Sequence, residues 1–356
     1  MTDLRAPGVA SDRVTVNPGT DPRWSSLAGG PAGSLFGSPP WILALVDAYG
    51  FNVAADLVVG AGGDPVAGMA HAEVRDLRGD RVVSLPFCDR LDPVADDSTW
   101  GSLIGPLLDR AVPIELRVLD AGPPRRDTRF QQVGELAWHA TDLERPEDDI
   151  LAGLHPSIRQ HLRAAHRHGV TVRLGDGVDD VRRFHALHRA TRKHKYHLLA
   201  QPITFFEHLH ERFAPSGDLV VALASHEGDV IAGTLCLRWG DVLYYKFAAS
   251  DAGRLSVRPN ESLAWECLRL GQEWGCRRFD WGVSDLDQPG LVGYKRKYAT
   301  EERRVVVLRH TPEGFDPGPE AHAGPVLRAL TELLTREDVP DEVTQRAGEV
   351  LYRFFC

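Results

Sequence analysis

The chain nearly repeats itself, and that limits its fold more than any other feature. DLVVGAGGDPVAGMAHAEVRDLRGDRVVSLPF (56–87) lies over DLVVALASHEGDVIAGTLCLRWGDVLYYKFAAS (218–250). Each copy begins Asp-Leu-Val-Val, turns at a Gly-Asp, passes through Val/Ile-Ala-Gly, turns at a second Gly-Asp and climbs an apolar strand. Alternating runs joined by tight turns make a β-meander. An amphipathic helix and a further strand follow in both copies: TWGSLIGPLLDRA then PIELRVLD, and ESLAWECLRLGQEW then CRRFDWG. The unit is β-β-β-α-β, repeated after about 165 residues, which means two copies of one domain and not a solenoid. Val66-Ala67-Gly68 and Ile231-Ala232-Gly233 should therefore occupy equivalent strand positions.

Three helical stretches precede the second meander: HPSIRQHLRAAHRHG, VDDVRRFHALHRATRKH and PITFFEHLHERF. The fold class is α/β, two domains in tandem, each a mixed sheet flanked by helices. A chain of 356 residues can build two such cores. Residues 1–38 are expected as a tail with irregular strand, 39–150 as the first domain and 151–310 as the second, carrying the active site. Residues 311–356 supply a Pro/Gly-rich linker and two helices near 325–335 and 340–353. No apolar run approaches the roughly 18 residues of a membrane span, and the N-terminus has no apolar core of a secretory signal. A cytoplasmic protein without a transmembrane segment is expected. Five cysteines, an odd number without a CxxC pair, count against both a disulfide framework and a zinc site. The histidines lack carboxylate company at ligand spacing, so no metal is expected.

Lysine is scarce. Lys193, Lys195, Lys246, Lys295 and Lys297 are the only five among 41 basic residues. Two of them stand in GYKRKYATEERR (293–304), where a compact ammonium is kept in a chain that otherwise uses guanidinium. The net charge of −9 is uneven: residues 155–200 carry +7 and eight of the fifteen histidines, leaving −16 elsewhere. That segment is either a solvated helix face or an anion-binding surface. Arg159 and Arg163, four apart, are either a phosphate clamp or part of an ion-paired face. Arg258 and Asn260 precede a helix whose N-terminus can bind anions, although Asn260 could simply be its N-cap.

Over residues 35–310 the order of elements resembles tandem GNAT acyltransferases of the Fem family. The likeness is clearest in IRQHLRAAHRHGV, in LYYKFAAS…PNESLAWECLRLGQEWGCRRFDWGVSD and in GLVGYKRKYATE. The last resembles the family's Gly…Phe-Lys…Phe-Gly segment, with Tyr294 and Tyr298 at the aromatic positions and Ala299 at the glycine. The resemblance implies transfer of an amino acid from aminoacyl-tRNA to an amine, on a peptidoglycan precursor or a small-molecule natural product. Aminoacyl-tRNA is then a co-substrate and no resident cofactor is needed. It puts Lys295 at the reacting carbonyl, as partner of the oxyanion, with Lys297 beside it facing phosphate or solvent. Tyr244, Asp280, Trp281, Tyr294, Arg258, Asn260, Thr191 and Lys193 form the implied substrate-binding set. Arg159, Arg163 and Lys297 are the implied tRNA or phosphate contacts.

Two of these residues have other roles open to them. Tyr244 and Tyr245 alternate sides on one strand, so only one can face a cleft. Asp280 either orients an amine, or serves as a cap or as a salt-bridge partner of Arg277 or Arg278. The helical-hairpin arm that some Fem members carry is missing, which excludes tRNA contact through one; no lysine precedes Lys193, so the N-terminal phosphate-binding lysine of relatives is missing too, which counts against a nucleotide-sugar acceptor. An acyl-CoA or acyl-carrier-protein donor is the alternative. SDAGRLSVRPNESL, however, lacks the Arg/Gln-x-x-Gly-x-Gly/Ala loop that cradles CoA pyrophosphate in GNAT enzymes.

Overall fold

Each copy extends beyond its meander. The computed structural model describes residues 12–356, and both halves follow the order β-α-α-β-β-β-α-β-α-β. The first comprises β1 (Asp12–Val16), α1 (Pro22–Ala28), α2 (Pro39–Tyr49), β2 (Asn52–Val59), β3 (Pro65–Asp76), β4 (Gly79–Val83), α3 (Asp97–Leu108), β5 (Ile114–Leu119), α4 (Gly122–Arg126) and β6 (Gln131–Asp142). Helices α5 (Glu147–Gly153) and α6 (Pro156–Arg167) connect it to the second. That half contains β7 (Thr171–Gly175), α7 (Val178–Ala190), α8 (Ile203–Phe213), β8 (Leu219–His226), β9 (Asp229–Trp239), β10 (Val242–Ser250), α9 (Pro259–Glu273), β11 (Arg278–Asp285), α10 (Pro289–Arg296) and β12 (Glu301–His310). Helices α11 (Gly318–Leu334) and α12 (Asp341–Leu351) close the chain.

All twelve strands form one sheet, ordered β1-β2-β3-β4-β5-β12-β6-β11-β10-β9-β8-β7. The units exchange their last strands. β12, from the second unit, lies antiparallel to β5 of the first, and β6, from the first, lies antiparallel to β11 of the second. The exchanged strands also pair with each other. A boundary at residue 150 therefore divides the sequence but not the sheet.

Alternating strand residues serve different cores. Leu57 and Val221 join a cluster in which Trp41, Ile42 and Leu45 of α2 meet Phe205, Phe206 and Leu209 of α8. Their strand neighbours Val58 and Val220 face the other side, under α3 in the first unit and α9 in the second. One core thus spans both units, and the opposite layer is divided.

The duplicated Val/Ile-Ala-Gly segments occupy matching places. Gly68 stands opposite Leu57 and Gly233 opposite Leu223. A Cβ would lie 2.8 Å from Leu57 Cδ2 in one case and 3.0 Å from Leu223 Cδ2 in the other. The Asp-Leu-Val-Val tetrapeptides do not superpose, because Leu57 corresponds to Leu223 and not to Leu219. A four-residue slip keeps every side chain on its own face, so alternation alone does not detect it.

Other expectations need correcting. Residues 12–38 are not a tail: β1 pairs with β2, and α1 begins at Pro22 with Asp21 accepting from Arg23 N. Residues 1–11, expected in that tail, lie outside the described region. β7, a short edge strand, separates the first two of the three helical stretches. No helix among the described residues is long and apolar enough to cross a membrane.

Candidate active site

β10 and β11 run parallel through Val242↔Arg278, Leu243↔Phe279 and Tyr244↔Asp280, and there their pairing ends. Both strands bulge just beyond. Lys246 is the extra residue of β10, with Tyr245 opposite Cys236 and Phe247 opposite Leu235. In β11, Trp281 and Gly282 fall between Asp280, opposite Ala140, and Val283, opposite Trp138. A bulge bends a strand and re-aims its side chains. Here it brings charged groups together at the point of divergence.

Lys295 reaches this point from α10. Val292, Lys295 and Tyr298, three residues apart, are buried along one side of that helix and the turn after it. The Lys295 ammonium is enclosed (8 % exposed) and donates to the Val283 carbonyl at 2.8 Å. Burial lowers its pKa to about 8, against the opposing pull of Asp89 and Asp280; Lys246 adds to the lowering. Gly282 leaves room for the Asp89 carboxylate. It has a left-handed φ of 68°, and a Cβ there would lie 2.6 Å from Asp89 Oδ2 and 4.0 Å from Lys295 Nζ.

Sequence reasoning missed the partners. Asp89, from the first unit, accepts a 2.6 Å bond from Lys246 Nζ. The Lys246 ammonium also lies over the rings of Phe36, Phe247 and Trp41, at 4.7, 5.4 and 5.5 Å. Asp280 is buried, accepting from Trp138 Nε1 at 2.9 Å and from Gly282 N at 2.7 Å. Desolvation raises its pKa, and the nearby Arg90 opposes the rise. Arg90 pairs with Asp92 and covers the Trp138 ring. A lysine inside the apolar run LYYKFAAS and an aspartate ending SLPFCD were the available signals. His139, on β6, is fully buried with both ring nitrogens unpartnered, 3.4 Å from Glu302.

The structure thus gathers Lys295, Asp280 and, around them, Asp89 and Lys246. It places several expected residues elsewhere. Trp281 is 1 % exposed and donates to Thr141 Oγ1, so it is a core side chain and not a substrate surface. Tyr244 is 5 % exposed and its hydroxyl accepts from Leu35 N, whereas Tyr245 is the partly exposed member of the pair. Thr191 is buried, exchanging hydrogen bonds with the Ser250 backbone. Lys193 is buried too, donating to Val339 O and Asp341, so it anchors α12. Arg159 donates to Ala152 O and Leu154 O at the end of α5, leaving Arg163 exposed and no clamp.

Asp280 pairs with neither neighbouring arginine, since Arg277 engages Glu144 and Arg278 engages Glu301. Asn260 is not the N-cap of α9. That position is Arg258, left-handed at φ 66°, with no side-chain cap bond. Asn260 instead donates to Ser250 Oγ and accepts through its carbonyl from the Tyr294 hydroxyl. Lys297 is half-buried, and its carbonyl accepts from His155 N. Four of the ten basic residues of segment 155–200 are ion-paired: Arg173 and Arg183 with Asp180, Arg182 with Glu207, and Lys193 with Asp341.

Residues 155–296 match the family model of the acetyltransferase (GNAT) domain, a span that includes Lys246, Asp280 and Lys295 but not Asp89. Among solved structures, FemX superposes with a TM-score of 0.63 at 14% identity, over 90% of this chain and 100% of FemX. The chain has the Fem-like tandem GNAT fold. A tandem GNAT protein from the clavulanic acid biosynthesis pathway gives 0.52 at 12% identity, covering 86% of this chain and 100% of that one. L-PGS from Bacillus licheniformis gives 0.50 at 12% identity, covering 83% and 97%. No curated protein matches the chain by sequence.

Proposed function

We propose that the chain is an N-acyltransferase that forms an amide, taking an amino acid from aminoacyl-tRNA. The acceptor is the amine of a peptidoglycan precursor or of a small-molecule natural product, and the reaction is cytoplasmic. One observation carries this reading: an enclosed ammonium, Lys295, stands where β10 and β11 part, among carboxylates supplied by both units. Aminolysis of an ester is downhill once the amine is held at the carbonyl. It needs positioning and a positive partner for the tetrahedral oxyanion. Lys295 supplies that charge and Asp280 and Asp89 hold the surrounding field. The GNAT fold and the acetyltransferase-domain match support acyl transfer in general.

An acyl-CoA donor is the second reading. The N-terminus of α9 has no side-chain cap, so its first N–H groups can receive an anion such as a pyrophosphate. Charged tRNA and an acyl-CoA pool, incubated separately with the protein and an amine pool, decide between them. Loss of the aminoacyl group from tRNA supports the first reading, and loss from CoA alone replaces it. If tRNA is the donor, its binding weakens steeply with salt, and Arg163→Ala flattens the slope by removing one phosphate contact.

A further inference from the structure

Between the end of β4 and Asp89 the chain turns at Phe87, whose backbone is left-handed with a φ of 58°. That conformation strains a residue with a bulky side chain and persists only where the surroundings enforce it. Here the enforcement is aromatic. The Phe87 ring lies 4.9 Å from that of Tyr49, 5.9 Å from that of Phe51 and 5.0 Å from that of Tyr352. Tyr49 and Phe51 stand where α2 gives way to β2, and Tyr352 follows α12 and stacks on Tyr49 at 6.3 Å. Cys88, next in the chain, is buried, and its thiol donates to Leu85 O. Phe87 is thus held by three rings, and two residues later comes the carboxylate that meets Lys246.

The segment that supplies Tyr352 is fastened at both ends. Lys193 donates to Val339 O and to Asp341 at the start of α12. Beyond α12, Arg78 donates to Phe354 O at 3.0 Å and to Cys356 O, and Arg81 donates to Cys356 O at 3.1 Å. The Asp76 carboxylate pairs with both arginines. One anchor belongs to the second unit and the other to the first. The sheet already joins the units, so what these anchors add is the place of the Tyr352 ring against Phe87.

We propose that Tyr352 and Phe87 are positioning residues for the candidate site: the Tyr352 ring holds the turn at Phe87, and the turn aims the Asp89 carboxylate at Lys246 and Lys295. Both act through Asp89. The charges that face Lys295 are Asp89, Asp280 and Asp285, and Lys246 of β10; His139 of β6 in turn feels the charge of Lys295. Among the carboxylates that oppose the lowering of the Lys295 pKa, Asp89 pulls hardest. Asp280 and Asp285 are fixed on β11, whereas Asp89 lies outside any strand or helix, so its distance depends on what holds its turn. Loosening the turn lets Asp89 recede, and the pKa of Lys295 falls further. The consequence for rate rests on the acyltransferase reading; the positioning itself does not.

With only five lysines in the chain, isotope-labelled lysine Cε signals can be followed by NMR as pH is raised, and Lys295→Met assigns the one of interest. Asp89→Asn sets the scale and should lower the Lys295 midpoint by about half a pH unit or more. Tyr352→Ala should lower it in the same direction, whereas Tyr352→Phe, which keeps the ring, should restore the wild-type midpoint. Phe87→Leu keeps an apolar side chain but loses the ring contacts; it should also lower the midpoint, and it serves where Tyr352→Ala does not fold. A folded Tyr352→Ala or Phe87→Leu protein with the wild-type Lys295 midpoint overturns the proposal, and so does an Asp89→Asn protein without a shift. In rate measurements the alkaline limb of kcat should move down with the midpoint while KM stays. If the wild-type protein forms no amide from either donor, the transferase reading fails, while the lysine titration still decides the positioning.

Discussion

At the scale of single residues, the charge state of Lys295 sets the pH behaviour. Its working form in this account is the ammonium, and burial has brought its pKa down from 10.5 to about 8. The transfer rate should therefore fall as pH rises through about 8. Stability should move the other way. Between about 8 and 10.5 the unfolded chain holds a proton at this lysine that the folded chain does not, so this group's contribution to stability grows with pH across that window. Lys295→Met should abolish both trends, as rate profiles and melts at matched pH would show; an unchanged alkaline limb contradicts the assignment. Lys295 was legible because it stands in a short motif with its aromatic neighbours. Asp89 and Lys246 were not, since 157 residues separate them and only the exchanged sheet brings them together. Thr191 and Lys193 misled because a polar residue near a site and one anchoring a helix look alike in sequence.

At the scale of elements, the bulges in β10 and β11 gather the charged groups of the candidate site. Gly282 is the residue that fixes the one in β11. Gly282→Ala adds a left-handed alanine, costing about 1–2 kcal/mol, and its Cβ would lie 2.6 Å from Asp89 Oδ2. We expect a modest loss of melting temperature together with at least a tenfold fall in transfer rate, because Asp89 must shift away from Lys246. Wild-type transfer in that variant would show that the Asp89–Lys246 arrangement is not needed. The meanders themselves could be seen in sequence, with their Gly-Asp turns and alternation. Neither the bulges nor the exchange of β6 and β12 could. Alternation in Leu136, Trp138 and Ala140 records which face is buried and carries no information about which strand lies alongside.

At the scale of the molecule, the halves share one sheet and one of its two covering cores. α2 and α8 share a core, and each half lends the other its last strand. A fragment of residues 155–296, the span of the GNAT domain match, lacks β6, β12 and α2 and would expose Phe205, Phe206 and Leu209. It should bind hydrophobic dye and give no near-UV circular dichroism; a cooperative melt from that fragment would mean the units are independent. The same joint construction brings a carboxylate of the first unit, Asp89, to the lysines of the second at the candidate site. The most direct test of the whole account is a single-turnover rate of amide formation by Lys295→Ala, with melting and near-UV spectra confirming the native fold. Losing one partner of the oxyanion should slow the step by roughly 10²–10³ while substrate affinity changes little, with Lys295→Arg recovering only part of the rate. A folded Lys295→Ala protein that transfers at the wild-type rate would contradict it.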